Sequence, residues 1–335
     1  MKKLLCLILS FVLMSTMSCI TSFAQETTDE PNVLEYEQLE NGDIKITKYD
    51  SLDAEFVIPS EIDGNKVTTI GKKAFYSCHA LKKVTIPDTV TTIEDRAFDS
   101  CKKLTTVELG DNVTTIGYKA FSDCATLSNI NVPYGVTSIG NNAFIRCFAL
   151  KSIDIPDTVT TIGNYAFSDC TGLVEVNFGN GELTIGEYAF GWCLRLTEVE
   201  LKSNTANLKD YAFYACDALN NFTLKSKDCV IFDSENTIPQ NATIYGYKDS
   251  TLSDYAKKYN RTFVELNEPS YLVGDVDLDG EITVIDATYI QMHLAQLSKL
   301  TDEQLMPADV TGEGDVSIAD ATKIQMFVAL IIDKL

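Results

Sequence analysis

Apolar residues return along the chain every 23 residues. The column Phe75, Phe98, Phe121, Phe144, Phe167, Phe190 and Phe213 is preceded each time by alanine, from Ala74 to Ala212. Three residues later come Cys78, Cys101, Cys124, Cys147, Cys170, Cys193 and Cys216, and three further on a leucine, from Leu81 to Leu219. Copies of Ala-Phe-x-x-Cys-x-x-Leu held in register mean that each unit is one coil of a solenoid. Such a coil cannot bury its apolar side alone and buries it against its neighbours. Within a unit, Ala74, Phe75, Cys78 and Leu81 share one face at helical spacing, which predicts a short helical turn over 72–81. Val84 and Ile86 then alternate with polar residues as a strand does, and Pro87 stops it, as Pro133 and Pro156 do later. Stacked strands make a parallel sheet. A second apolar pair, Val67 and Ile70, returns as Val90 and Ile93, Val113 and Ile116, Val136 and Ile139, and Val159 and Ile162. Threonines inside the pair suit an extended, solvent-facing edge, and a following glycine such as Gly71 or Gly117 marks a tight turn.

The pattern departs late. Glu182 enters an apolar column, Leu208-Lys209 replaces Ile-Gly, and Gly179 and Lys202 replace proline, so the last two coils are expected to be irregular or altered toward a cap. Ile70-Gly71-x-x-Ala74-Phe75-x-x-Cys78-x-x-Leu81-x-x-Val84-x-Ile86-Pro87 resembles the BspA-like class of leucine-rich repeat, over about residues 33–266. The resemblance implies a leucine-rich-repeat solenoid of parallel β strands and short helical turns. Repeats are expected at 67–225, N-terminal capping strands at 33–66 and a C-terminal cap at 226–266. Asp43 to Ile58 reads as one or two capping strands, and Ala242 to Tyr247 and Leu252 to Phe263 resemble that family's closing strand and helix.

After Pro269, in a linker expected at 267–270, the pattern changes to Asp275-Val276-Asp277-Leu278-Asp279-Gly280-Glu281-Ile282-Thr283-Val284-Ile285-Asp286. Calcium is a hard cation that takes several oxygens, and an EF-hand-type loop supplies them from fixed positions. Here Asp275, Asp277, Asp279 and Asp286 stand at positions 1, 3, 5 and 12, the Glu281 carbonyl at 7 and Thr283 at 9, with Gly280 at the sharp turn. The loop returns 34 residues later with Asp309, Thr311, Glu313, Asp315, Ser317 and Asp320 at the same positions. Thr311 and Glu313 stand where aspartate or asparagine is usual, which makes this second site the weaker expectation. Each loop leads into Asp-Ala-Thr-x-Ile-Gln-Met, at Asp286 and at Asp320, hence into one helix. This tandem resembles type I-like dockerins, over about residues 271–335. The resemblance implies a small all-α calcium-binding domain of two EF-hand-like loop-helix units, with two calcium ions and a cohesin module of a scaffoldin as partner. The family's cohesin contacts map onto Val284, Ile285, Gln291 and Met292, or onto Ile318, Ala319, Gln325 and Met326. Near-duplication leaves open docking in two orientations related by a half-turn.

Composition narrows the partners. A net charge of −21 repels phosphate backbones, so nucleic acid is not expected. Lys2 and Lys3, the apolar stretch Leu4 to Met14 and the small-residue site Ser22-Phe23-Ala24 read as a secretory signal peptide at 1–24. Lipoprotein processing at Cys19 is the competing reading. No stretch supplies the roughly 20 apolar residues a membrane span needs, so a secreted, extracellular protein is expected. The cysteine column repeats with the coils instead of pairing, and its thiols read as buried and reduced, since stacked sulfurs at roughly 5 Å per coil do not converge on a metal.

Outward strand positions place Asp154, Glu175, Glu198 and Glu200 on an acidic face, a candidate surface for a protein ligand. Residues before the alanines change from Lys73, Arg96 and Lys119 to Tyr165, Tyr188 and Tyr211, with Trp192 and Tyr214 near them. That column is either a binding patch or cover for gaps between coils. His79 and His293 are the only histidines, which leaves a histidine-based nucleophilic triad little material. Carboxylate pairs for glycoside hydrolysis are available by type, but the repeats leave no room between 67 and 225 for a catalytic insertion. The expected protein is therefore not an enzyme. It reads as a secreted interaction subunit of a cellulosome-like complex whose solenoid recognises a protein, or else as a carbohydrate-binding accessory subunit of a polysaccharide-degrading complex.

Overall fold

The computed structural model describes residues 6–7, 20–25, 32–202, 206–267 and 272–330, with 332 and 335. Most of the expected signal peptide, Cys19 included, and all but the first residue of the expected linker lie outside them. Each coil contributes two short strands and a run of turns. The first strand set comprises Lys83–Thr85, Thr106–Glu108, Asn129–Ile130, Ser152–Ile155, Glu175–Phe178, Glu198–Leu201 and Asn221–Leu224. These strands pair parallel one coil apart, with Val84 beside Val107, Ile153 beside Val176 and Val199 beside Phe222. They form three separate sheets, interrupted after Ile130 and after Phe178. The second set, from Asn65–Ile70 through Thr115–Ile116 to Val230–Ile231, belongs to one continuous sheet.

The segment with helical spacing folds as consecutive turns. Two residues per coil are left-handed, for example Lys73 (φ 61°) and Ser77 (φ 58°), or Tyr188 (φ 53°) and Trp192 (φ 59°). Its peptide groups therefore point alternately across and along the chain. The Phe121 N–H donates to Ala143 O of the next coil at 2.8 Å, whereas the Ser122 N–H donates back to Lys119 O at 3.2 Å. An α-helix would direct every N–H along its own axis and leave the coils unlinked on this side. Apolar residues still fall on one face, which is why the spacing looks helical in sequence.

The phenylalanines stack through the core. Phe98, Phe121, Phe144 and Phe167 lie 5.2, 5.3 and 5.1 Å apart, within 7° of parallel. Beside them the thiols of Cys124, Cys147 and Cys170 donate to Phe98 O, Phe121 O and Phe144 O of the preceding coil at 3.2, 3.3 and 3.2 Å. All seven cysteines of the column, and Cys229 after it, are buried and free. Cysteine suits this column because it is small and apolar yet carries a weak donor for a carbonyl lone pair. Burial pushes the Cys170 thiol up to about 12.

At the late departures the sheet runs on in register. Glu182 is exposed, while Leu183 and Ile185 turn inward beside Ala206 and Leu208. A two-residue alternation replaces the three-residue spacing of Val159 and Ile162. At the start, Ile44–Asp50 pairs antiparallel with Asn32–Gln38 and parallel with Asn65–Ile70, and Glu55–Val57 leads the first strand set. At the end, Thr243–Gly246 pairs with Asn221–Leu224, and α1 (Thr251–Lys258) precedes Phe263–Glu265 in the same sheet.

The chain divides into two units, 1–264 and 265–335. The second holds α2 (Val284–Leu294), α3 (Asp302–Ala308) and α4 (Ile318–Val328). Its core comprises Val276, Ala287, Ile290, Leu300, Ala308, Val310, Ala321 and Ile324, with Ile282 and Val316 packed on it. The two loop-helix units were expected; α3 was not. Its sequence signal is the capping box Thr301-x-x-Gln304, where the Thr301 N–H donates to Gln304 Oε1 at 3.0 Å.

Candidate calcium loops and binding surfaces

Backbone turns aim the loop carboxylates inward. In the first loop Leu278 (φ 63°) and Gly280 (φ 91°) are left-handed; in the second, Gly312 (φ 75°) and Gly314 (φ 94°) are. The sequence pointed to Gly280, and Gly312 could have signalled the other turn, but Leu278 carries no such signal. Asp275 accepts from the N–H groups of Asp279 and Gly280 at 3.0 and 2.9 Å, and Asp279 from that of Glu281 at 2.8 Å. Asp286 is fully buried and accepts from Val276, Asp277 and Thr283 N–H at 2.7, 3.1 and 2.7 Å. Thr283 also caps α2 with Asp286 as its box partner, so positions 9 and 12 of the loop join metal site and helix start.

Carboxylate oxygens of Asp275, Asp277 and Asp286 lie within 4.8 Å of one another, the one group of three acidic ligands among the described residues. Burial and the facing Asp286 carboxylate push the Asp277 carboxyl above its ordinary range. A dense set of hard oxygens with little else to neutralise it fits a hard divalent cation. The second loop is built alike but tied differently. Asp309 accepts from Glu313 and Gly314 N–H at 3.0 and 2.7 Å, while the Thr311 and Ser317 hydroxyls donate to Asp320 at 2.9 and 3.0 Å. The Ser317 hydroxyl also lies 2.8 Å from Glu313 Oε1. Asp315 is exposed, as is Glu281.

The helix starts leave apolar residues outside. Val284, Ile285 and Ile318 are more than half exposed, and Met292 is exposed as well. Ala319 and Gln325 are exposed too, whereas Gln291 and Met326 are half-buried. Both helix starts thus present matching apolar pairs, as the duplication in sequence implies.

On the solenoid, Asp154, Glu175, Glu198 and Glu200 stand on the first strand set. Asp154 accepts from Asn177 Nδ2 at 2.7 Å, and Glu200 pairs with Lys225 at 2.8 Å, so part of that acidic charge is answered within the protein. Glu175 and Glu198 are exposed and flank the second sheet interruption. On the turn side, Tyr165, Tyr188 and Tyr211 stack at 5.0 and 4.7 Å with planes within 8°. Trp192 lies parallel to Tyr188 at 5.5 Å. Tyr214 meets Tyr188, Trp192 and Tyr211 at 74°, 78° and 76°.

Among the described residues no helix is long and apolar enough to cross a membrane. The sequence profile of the BspA type leucine-rich repeat region matches residues 55–174 and 137–238, and that of the dockerin type I domain matches 273–328. No curated protein matches the chain. Among solved structures, the leucine-rich repeat protein TpLRR of T. pallidum is 31% identical over 49% of this chain and 87% of its own, with a TM-score of 0.41. A leucine-rich cell surface protein of Faecalibacterium prausnitzii is 19% identical over 77% and 96%, with a TM-score of 0.34. A leucine-rich repeat protein of Bacteroides ovatus is 20% identical over 73% and 81%, with a TM-score of 0.31. Repeats and dockerin are both non-catalytic interaction modules, and type I dockerins generally bind calcium. With the repeat profile spanning 55–238, more than half of its 335 residues, the chain belongs to the BspA-type leucine-rich repeat family and ends in a type I dockerin domain.

Proposed function

We propose that the protein is a secreted, non-catalytic binding subunit of a cellulosome-like complex, docked through a calcium-dependent dockerin onto a cohesin module. The solenoid at 67–225, between caps at 33–66 and 226–266, carries the recognition surface, and 271–335 carries the docking domain. The observation behind the reading is the convergence of Asp275, Asp277 and Asp286 beside exposed Val284 and Ile285, duplicated at Ile318. Asp275, Asp277, Asp279 and Asp286 hold the first calcium with the Glu281 carbonyl and Thr283. Asp309, Glu313 and Asp320 hold the second with Thr311, Ser317 and the Asp315 carbonyl. Bound calcium cancels carboxylate repulsion and fixes both helix starts, so the apolar pairs reach the cohesin in one geometry. On the solenoid, the acidic face around Glu175 and Glu198 recognises a protein partner.

Pull-down of the full chain by a panel of immobilised cohesin modules tests the docking. Capture with calcium and release by EDTA is expected, and the pair Ile285→Asp with Ile318→Asp should weaken capture at least about tenfold, because either apolar pair alone still docks. Failure of every cohesin to capture the calcium-loaded protein would refute the docking role.

A further inference from the structure

The tyrosine ladder is a poor sugar platform by itself, because Tyr165, Tyr188 and Tyr211 cover one another's faces. Tyr214 differs. It stands nearly at right angles to three rings of that cluster, retains 36% exposure and lines a cavity of about 440 Å³. The cavity opens where the turn ladder ends and the cap segment 235–241 takes the place of a further coil. Asp217, Glu235, Asn236, Gln240 and Asn241 supply its polar lining and Pro239 its apolar one, with Ile238 fully buried behind them.

We infer that this cavity, between the last coil and the C-terminal cap, binds an uncharged oligosaccharide. An aromatic ring offers a flat apolar surface to the C–H face of a pyranose, while carboxylates and carboxamides accept from and donate to its hydroxyls. Volume and mixed lining fall in the ordinary range of small-molecule sites, about 300–1,000 Å³. Two carboxylates line the cavity and, among the described residues, no lysine or arginine does, which selects against uronic acids and phosphorylated sugars.

The walls are fixed before any ligand arrives. Buried Arg261 donates to Ile238 O at 2.9 Å and to Pro239 O, and the Tyr255 hydroxyl donates to Ser234 O at 2.9 Å. Asn241 Nδ2 donates to Asp217 O and Leu219 O at 3.2 and 2.8 Å, tying the cap to the last coil. Three neighbouring rings hold Tyr214 in place. Little order remains to be imposed on binding, which favours affinity. The site stands apart from the docking reading, since it requires neither calcium nor cohesin.

Trp192 is the only tryptophan and touches Tyr214, so its fluorescence reports on the cavity. The full chain is titrated with cellotetraose, xylotetraose and mannotetraose, with tetragalacturonic acid as the charged comparison, following Trp192 emission and binding heat. At least one neutral tetrasaccharide is expected to saturate both signals, and the charged one neither. Tyr214→Ala and, on the cap segment, Gln240→Ala should each weaken binding about tenfold, while Tyr134→Ala, distant in the repeats, leaves it unchanged. Circular dichroism confirms that each variant is folded, and Gln240→Ala carries the test if Tyr214→Ala is not. Absence of saturable binding to all three neutral sugars overturns the inference, as does binding that Gln240→Ala leaves intact.

Discussion

Each cysteine of the column has two tasks, filling a small space beside the phenylalanine stack and donating to a carbonyl of the coil before it. Both need the thiol rather than the thiolate. Burial raises the Cys170 thiol to about 12 and pushes those of Cys124 and Cys147 in the same direction. A group that binds its proton more tightly when folded stabilises the fold fully below the unfolded thiol value, about 8.5, and that contribution is lost as pH rises through the folded value. Urea midpoints should therefore fall from about pH 8.5 toward 12. Over that range the native protein should stay unreactive to a thiol reagent that labels it after denaturation. Rapid labelling of the folded protein at pH 8 would show the column to be open. The aromatics illustrate a different residue-scale point. Tyr165, Tyr188, Trp192 and Tyr211 all occupy left-handed positions, which side chains of their kind avoid, because every coil imposes that conformation there.

The coil as an element depends on alternating peptide directions on its turn side and on close approach between neighbouring coils at a few points. Gly181 marks one such point, since a Cβ there would overlap the Asp157 carbonyl oxygen of the coil before. Gly181→Ala must push the two coils apart, and we expect a loss of about 1–3 kcal/mol in urea unfolding, the scale of overpacking in a close-packed interior. An unchanged midpoint would mean that the backbone there yields freely. The same element explains the helical spacing seen in the sequence. Positions i, i+1, i+4 and i+7 share a face both in a helix and in this run of turns, so periodicity does not distinguish them. Hydrogen bonds between coils make the choice.

The whole molecule comprises two units held together by different means. A repeat stack spreads its stability over many neighbour contacts, whereas a domain of about 65 residues with crowded carboxylates is expected to lean on a bound cation. EDTA should abolish amide protection over α2 and α4 in hydrogen exchange while 67–225 stays protected, and calcium should restore it. Protection of α2 and α4 that survives EDTA would show that the small core suffices. The sequence by itself determined the coil length, the core columns and the two loop-helix units, because periodic apolar positions and carboxylates at fixed loop spacing depend on local order alone. Tertiary structure alone decided the turn geometry, the breaks in the strand face and the thiol-to-carbonyl bonds. It also decided that the tyrosines face one another and that a cavity opens beside Tyr214. Each of these depends on what the next coil or the cap places opposite a residue, and no run of one chain segment contains that information.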